Sequence, residues 1–362
     1  MIAGLRQAAT FVHRWTGLAF GPLIVLMALT GIGLVLRPQL NPLVYPGLGN
    51  ASACAAPLSM DRLADAARSV HPDGTLAFVW FYGSSGTSTM FRFSDNDSIY
   101  VDPCDGRVLG RQNRYGGLFG MLEKVHKWAY LQGDKPIDFV PGSIAIAMSF
   151  VLVIGGIFIW WPRKLGALKV AAKYNPRLRG LPRLRNQHTS AGLYAALILL
   201  PVALTGIPQA FDWAGNAICR IVGSPVPVGA PSSSEPAGRE PLRVESTMQT
   251  VRKLLPDFDL AVIRYPAKPR GSIEIYTVDR TAPIANARNY LYLDAYSGEV
   301  LSFRPYAQAS FGQKLIFAAV AVHTGQIGGL LGQCILLLGM LAVPILGYTG
   351  IVRYLRMRKI LR

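Results

Sequence analysis

Four of the five histidines in this chain stand near the start of an apolar stretch long enough to cross a bilayer, and they form two related pairs. His13 opens His13-Arg14-Trp15-Thr16-Gly17-Leu18, and Thr30-Gly31 follows 17 residues later. His188 opens His188-Thr189-Ser190-Ala191-Gly192-Leu193, and Thr205-Gly206 again follows 17 residues later. His126 and His323 each precede a further apolar stretch. Imidazole is the commonest metal-binding side chain, and ionisable groups inside a membrane bundle are costly enough to mark function. Seventeen residues of helix cover about 25 Å, so the two pairs cannot share one metal. The arrangement predicts two sites stacked across the membrane, His13 with His188 at the inner face and His126 with His323 at the outer. Zinc or copper would want carboxylates, thiolates or further imidazoles nearby, and neither pair offers them. Two imidazoles on facing helices suit a six-coordinate haem, which predicts two haem b groups.

The elements that position these residues are repeated. Tyr100-Val101-Asp102-Pro103-Cys104-Asp105-Gly106 reappears as Tyr292-Leu293-Asp294-Ala295-Tyr296-Ser297-Gly298. Both halves run histidine and span, polar segment, histidine, span. Hydropathy predicts spans at about 15–36, 140–161, 189–211 and 331–353, each near the roughly 20 residues a hydrocarbon core requires.

The net charge of +17 would suggest nucleic acid if it were spread over the chain. Instead 15 basic residues and no acidic ones fall in the N-terminal segment, the middle loop and the tail. The polar segments 38–118 and 212–312 hold 6 basic against 7 acidic and 11 against 10. The charge is therefore a topology signal that places both termini and the middle loop in the cytoplasm, and it argues against nucleic acid as a partner. The first apolar run is too long for a cleaved signal and reads as a retained anchor.

Cysteine is sparse, and no spacing suits zinc or an iron–sulfur cluster. Cys54 and Cys104 share the outer compartment, where a disulfide between them and two free thiols are both open. Each polar segment reads as a helix and three strands. The first has a helix after Ser59, an N-cap, and strands near 75–82, 88–93 and 98–102. The second has a helix near 243–255 and strands near 260–266, 271–278 and 289–294. Val222 to Pro241, rich in Gly, Ser and Pro, reads as a flexible linker. Gly17, Gly31, Gly33, Gly192 and Gly206, with Gly325, Gly328, Gly329 and Gly332, offer either room for a porphyrin or close helix packing. Arg14, Lys124 and Lys127 are candidates to meet its propionates, with interfacial anchoring the alternative.

These motifs, together with Val125-His126-Lys127-Trp128 and Trp160-Trp161-Pro162-Arg163-Lys164, resemble the PepSY-associated transmembrane family of iron-regulated bacterial inner-membrane proteins. The resemblance spans essentially the whole chain. It implies an integral membrane, mainly α fold: a four-helix transmembrane bundle built from an internal repeat, with two small periplasmic α+β PepSY-like domains. The expected divisions are 1–37 (first span), 38–117 (periplasmic), 118–161 (interfacial helix and second span), 162–187 (cytoplasmic loop), 188–211 (third span), 212–310 (linker and periplasmic domain) and 311–362 (interfacial helix, fourth span and tail). Members that resemble ferric-siderophore reductases carry two haems. By resemblance His13, His188, His126 and His323 are the haem ligands, and the chain is a haem-dependent oxidoreductase acting on ferric siderophores or other ferric chelates. Its electron donor would be a quinone or a cytoplasmic reductase, because no Gly-rich dinucleotide fingerprint is present. Two departures stand out: Cys104 replaces the aromatic residue found at Tyr296, and the last span ends in Arg353-Tyr354-Leu355-Arg356 rather than Trp-Trp-Pro. A single-histidine haem at one site stays open. So do two rival functions, a siderophore or solute permease and a non-enzymatic regulatory membrane protein that binds a specific partner.

Overall fold

A computed structural model describes residues 2–129, 138–162, 164–236 and 238–360; Arg163 and Arg362 of the basic segments lie outside them. The elements run α1 (Ile2–Val35), α2 (Arg37–Val44), α3 (Met60–Ser69), β1 (Leu76–Tyr82), β2 (Thr89–Phe93), β3 (Asp97–Val101), β4 (Val108–Asn113), α4 (Gly117–His126), α5 (Phe139–Ile146), a π-helical segment (Ala147–Ile154), α6 (Gly155–Trp160), α7 (Leu168–Ala172), α8 (Gly180–Ala210) and α9 (Asp212–Ile221). They continue with α10 (Val244–Leu254), β5 (Phe258–Arg264), β6 (Ile273–Asp279), β7 (Arg288–Leu293), β8 (Val300–Arg304), α11 (Phe311–His323) and α12 (Gly329–Ile360). The chain divides into two compact units, one of residues 1–36, 122–217 and 319–362 and one of residues 37–121 and 218–318.

Among the described residues, four helices of the first unit are long and apolar enough to span a membrane: Ala3–Val35, Phe139–Trp160, Gly180–Ala210 and Gln326–Lys359. In hydrocarbon every backbone polar group must be satisfied internally, which is why such stretches become helices. They begin earlier than hydropathy places them, so His13 and His188 lie inside continuous helices rather than at their openings. Arginines such as Arg6, Arg14, Arg183 and Arg185 end an apolar run but not a hydrogen-bonded one, because arginine is a good helix former. α1 packs on α12 and on the second span, and α8 packs on the same two neighbours, which sets α1 and α8 at opposite corners of a four-helix bundle. Ile24, Ala28, Ile144, Val153, Leu199 and Val343, drawn from all four spans, fill its centre.

In the second unit, helix and four strands occur twice in the same order. Ser59 caps α3 through Arg62 N–H, as its position suggests. The two polar segments, read from sequence as separate domains, form one antiparallel sheet of order β4-β3-β2-β1-β5-β6-β7-β8. They join where β1 meets β5, with Trp80 opposite Val262. Pairing the two exposed central edges removes an aggregation-prone surface from each half. One face carries α3 and α10 over a single core that includes Val79, Phe91, Ile99, Ile263, Ile275 and Leu291.

Asp102 and Asp294 are turn clamps. Each is buried and takes N–H donors from both sides of its turn: Ser52 and Cys104 for Asp102, Ser234, Tyr296 and Ser297 for Asp294. Burial pushes both carboxyls upward, but these donors outweigh it and hold them below the usual carboxylate range. Val222 to Pro241 departs from the flexible linker its composition suggests. Ser233 N–H donates to Arg270 O, Ser234 N–H to Asp294, and Ser232 bridges Gly271, so this stretch is stitched to the second half. Cys54 and Cys104 form a disulfide, closing a loop with a sequence separation of 50.

Candidate functional site

All four histidines lie in the first unit. The rings of His13 and His188 meet across the bundle diagonal, centroids 6.3 Å apart and planes at 85°. His126 ends α4 and docks on α1, and His323 ends α11 and docks on α8. His126 docks on α1 at Met27, 14 residues beyond His13, which separates the two levels by about 21 Å along that helix.

Each ring is anchored through Nδ1. His13 faces Val151 O at 3.3 Å, His126 faces Met27 O at 3.1 Å and His323 faces Val202 O at 2.9 Å. A carbonyl only accepts, so Nδ1 carries the proton in all three. His188 Nδ1 lies 3.0 Å from Thr349 Oγ1, whose own hydrogen goes to Ile345 O at 2.7 Å, so here too the imidazole donates. The same tautomer recurs four times and leaves four Nε2 lone pairs uncommitted to these contacts. A metal-ligating histidine characteristically donates its other nitrogen to a carbonyl or similar acceptor, which fixes the ring and raises its basicity.

A glycine makes each anchor accessible. In an α-helix the residue four places on covers the carbonyl it bonds to, so a missing Cβ there opens the carbonyl's flank. Gly31 follows Met27 by four, and a Cβ on it would meet His126 Cε1 at 3.4 Å. Gly206 follows Val202 by four and would meet His323 Cε1 at 3.0 Å; at His188, whose acceptor is the Thr349 hydroxyl, the glycine is the next residue, Gly350, and would meet His188 Cε1 at 3.5 Å. At His13 the spacing is five, from Val151 to Gly156, whose Cβ would meet His13 Cε1 at 3.1 Å. That extra residue is accommodated by the π-helical segment Ala147–Ile154, in which Gly155 N–H reaches back to Phe150 O. Such π segments concentrate at functional sites.

In each half the first span therefore presents a histidine to the next span and receives one from the short helix that precedes that span, α4 or α11. α1 presents His13 to the second span and a glycine notch to His126; α8 presents His188 to α12 and a notch to His323. The sequence marks this in Thr30-Gly31 and Thr205-Gly206, and a third Thr349-Gly350 went unused. Thr30 Oγ lies 3.1 Å from His126 Nδ1 and donates to backbone within its own helix, so the threonine is part of the same notch. Met340 was also missed: its Cε would lie 3.0 Å from a Cβ on Gly31, beside His126.

The other glycines divide. Gly17, Gly33 and Gly192 face Leu152, Leu122 and Leu346, which is helix packing. Gly325 and Gly329 adopt φ of 72° and 56°, so they turn the chain between α11 and α12 rather than make room for a ligand. Lys127 pairs with Glu123 at 3.0 Å, and Arg14 is exposed. His71, outside the repeat, pairs with Asp95, while neighbouring Asp97 is taken by Arg111 and Asn113.

The arrangement suits a metal held between two imidazoles. Nitrogens about 2.1 Å from a shared metal, each with its ring centre about 1 Å behind, would set centroids about 6 Å apart. His13 and His188 stand near that separation. The donor set, two neutral imidazoles per level with fixed tautomers and apolar neighbours, fits a haem iron. A family model described as the PepSY-associated TM region matches residues 10–356. No curated protein matches the chain.

Proposed function

The chain belongs to the PepSY-associated transmembrane family and is a multi-pass membrane protein, and from that premise we propose that it is a di-haem transmembrane electron-transfer protein that reduces ferric siderophores. His13 and His188 would hold one haem b, and His126 and His323 the other. The observation that carries this reading is the fourfold recurrence of one anchoring device, with Nδ1 spent on a helix acceptor beside a glycine and Nε2 left for iron. When bound, haem supplies a one-electron Fe(III)/Fe(II) couple at each level.

The residues of the chain do the rest. The Nδ1 anchors fix ring orientation, and α1 and α8 set the His13 and His188 rings against each other. Ile24, Ile144, Leu199 and Val343 keep the zone between the levels dry. With the basic segments in the cytoplasm, the His13 level lies inward and the His126 level outward, with the sheet unit in the periplasm of a bacterial inner membrane. A ferric chelate is bound tightly by hard oxygen donors; one electron converts its Fe(III) to Fe(II), which those donors hold less well. The donor of that electron is a quinol or a cytoplasmic reductase.

The test is anaerobic. Purified protein reduced with dithionite is mixed with a ferric chelate, and ferrous iron is trapped by a ferrous-specific chromophore. Stoichiometric reoxidation of the haem bands with ferrous iron release supports the proposal. Haem bands that stay reduced would overturn it.

A further inference from the structure

The bundle holds a cleft that the histidine anchors do not use. It encloses about 240 Å³ and is lined by Tyr174, Gln187, Ser190, Ala191, Tyr194 and Ile345. On α8 the lining positions 187, 190, 191 and 194 have the spacing of one helix stripe, and they bracket His188 in the chain. On α12 Ile345 is one turn from Thr349, the acceptor for His188, and the Ile345 carbonyl takes the Thr349 hydroxyl. The cleft therefore flanks the His13 and His188 level.

Five of the lining residues belong to α8 and α12; the sixth, Tyr174, comes from the loop past α7 and is held from both sides. Asn186 donates to Lys173 O at 3.0 Å and accepts from Asn175 N–H at 2.7 Å, while Trp160 Nε1 on the second span donates to Ala171 O at 3.2 Å. Among the described residues the Tyr174 and Tyr194 hydroxyls and the Gln187 amide are uncommitted. Ser190 is buried and donates to Asn186 O, which leaves its oxygen free to accept. Tyr194 and Ile345 are 60% and 50% exposed, so the cleft opens on the outer, lipid-facing side of the spans, where Leu197 and Leu341 continue the apolar surface.

We infer that this cleft binds the head of a membrane quinol, which supplies the electrons for the reductase reading above; the inference names the donor and rests on that reading. Its volume is below the roughly 300–1,000 Å³ of drug-sized sites and suits a single ring. A quinol carries a hydroxyl at each end of its ring, and tyrosine hydroxyls and a glutamine amide can both donate to such oxygens and accept from them. The isoprenoid tail needs apolar surface, which Leu197 and Leu341 offer. Oxidation of one quinol to quinone releases two electrons and two protons. Two ferric chelates take one electron each and become ferrous, and the protons pass to water at the basic, cytoplasmic face.

The experiment places the full chain in phospholipid nanodiscs, photolabels it with an azido-ubiquinone and maps the adducts by peptide mass spectrometry. Label is expected in the segments that hold Tyr174 and Gln187 to Tyr194, and excess decyl-ubiquinone should reduce it at least tenfold. Decylbenzene, which has a ring and tail but no oxygens, should not compete. Gln187→Leu removes hydrogen bonds and should weaken competition by decyl-ubiquinone about threefold to tenfold. Ala191→Trp fills the cleft and should abolish label there, whereas Tyr348→Phe, exposed on α12 outside the cleft, should change nothing. Label spread over all lipid-facing helices, equal competition by decylbenzene, or no effect of Gln187→Leu and Ala191→Trp would overturn the inference. Haem absorbance of the same discs separates the two claims: cleft label in discs without haem bands defeats the reductase reading, and haem bands without cleft label defeat this one.

Discussion

Replacing Gly206 with alanine places a methyl group 3.0 Å from His323 Cε1. Non-bonded carbons rest about 3.5–4.0 Å apart, so the ring must withdraw by about half an ångström or more. The Nδ1 contact with Val202 O, now 2.9 Å, then lengthens toward the limit of a useful hydrogen bond. Loss of such a supporting bond behind a ligating histidine typically costs 10- to 100-fold in metal affinity, and partial loss points to about tenfold, or about 1.4 kcal/mol. Gly350→Ala is the internal control, because its methyl group would meet His188 Cε1 at 3.5 Å, an ordinary contact. Both substitutions raise helix propensity by up to about 1 kcal/mol, so a loss of haem is not a loss of helix. The assay is titration of haem-free protein with haem, followed by the Soret band. About tenfold weaker loading at one of two sites in Gly206→Ala, with less than twofold change in Gly350→Ala, is expected. Equal effects, or none in Gly206→Ala, would refute the notch argument.

Gly156→Ala, with its methyl group 3.1 Å from His13 Cε1, should weaken haem loading as Gly206→Ala does but at the His13 level, which paramagnetic resonance of the loaded protein would distinguish. Asp294→Asn removes a buried anion that accepts three N–H bonds, a loss of about 2–3 kcal/mol that thermal melting of the sheet unit will show. Because the folded pKa of Asp294 is depressed, its contribution is complete above the unfolded value of about 3.9 and is lost as pH falls from there toward the folded value. The wild-type and Asn proteins should therefore converge in stability in strong acid. Cys104→Ser opens a loop with a separation of 50 and should cost up to about 4 kcal/mol in melting of the same unit, with haem content unchanged.

Much of this was legible in the chain itself. The histidine pairs, the four spans, the N-cap at Ser59 and the Asp102 and Asp294 turns all carry local signals. β4 and β8 do not: Val108-Leu109-Gly110-Arg111-Gln112-Asn113 and Val300-Leu301-Ser302-Phe303-Arg304 are short edge strands with little alternation. The β1–β5 junction was hidden for a different reason, since it pairs residues roughly 180 positions apart and depends on edge geometry. Val222 to Pro241 misled because composition reports chain stiffness, while order here comes from backbone donors meeting Arg270 and Asp294. In the site, the glycine notches were visible as Thr-Gly repeats, but their meaning required knowing that each serves a histidine on another helix. Gly156 was hardest to see, because only a π segment brings it into line with Val151.

The central claim is that four anchored histidines hold two haems, and the most direct measurement is an oxidised-minus-reduced spectrum with haem quantified per chain, for the wild type and for His13→Ala, His126→Ala, His188→Ala and His323→Ala. The account predicts two b-type haems in the wild type, with one disturbed by His13→Ala or His188→Ala and the other by His126→Ala or His323→Ala. A featureless spectrum from protein made with ample haem, or substitutions that do not sort into those two pairs, would contradict it.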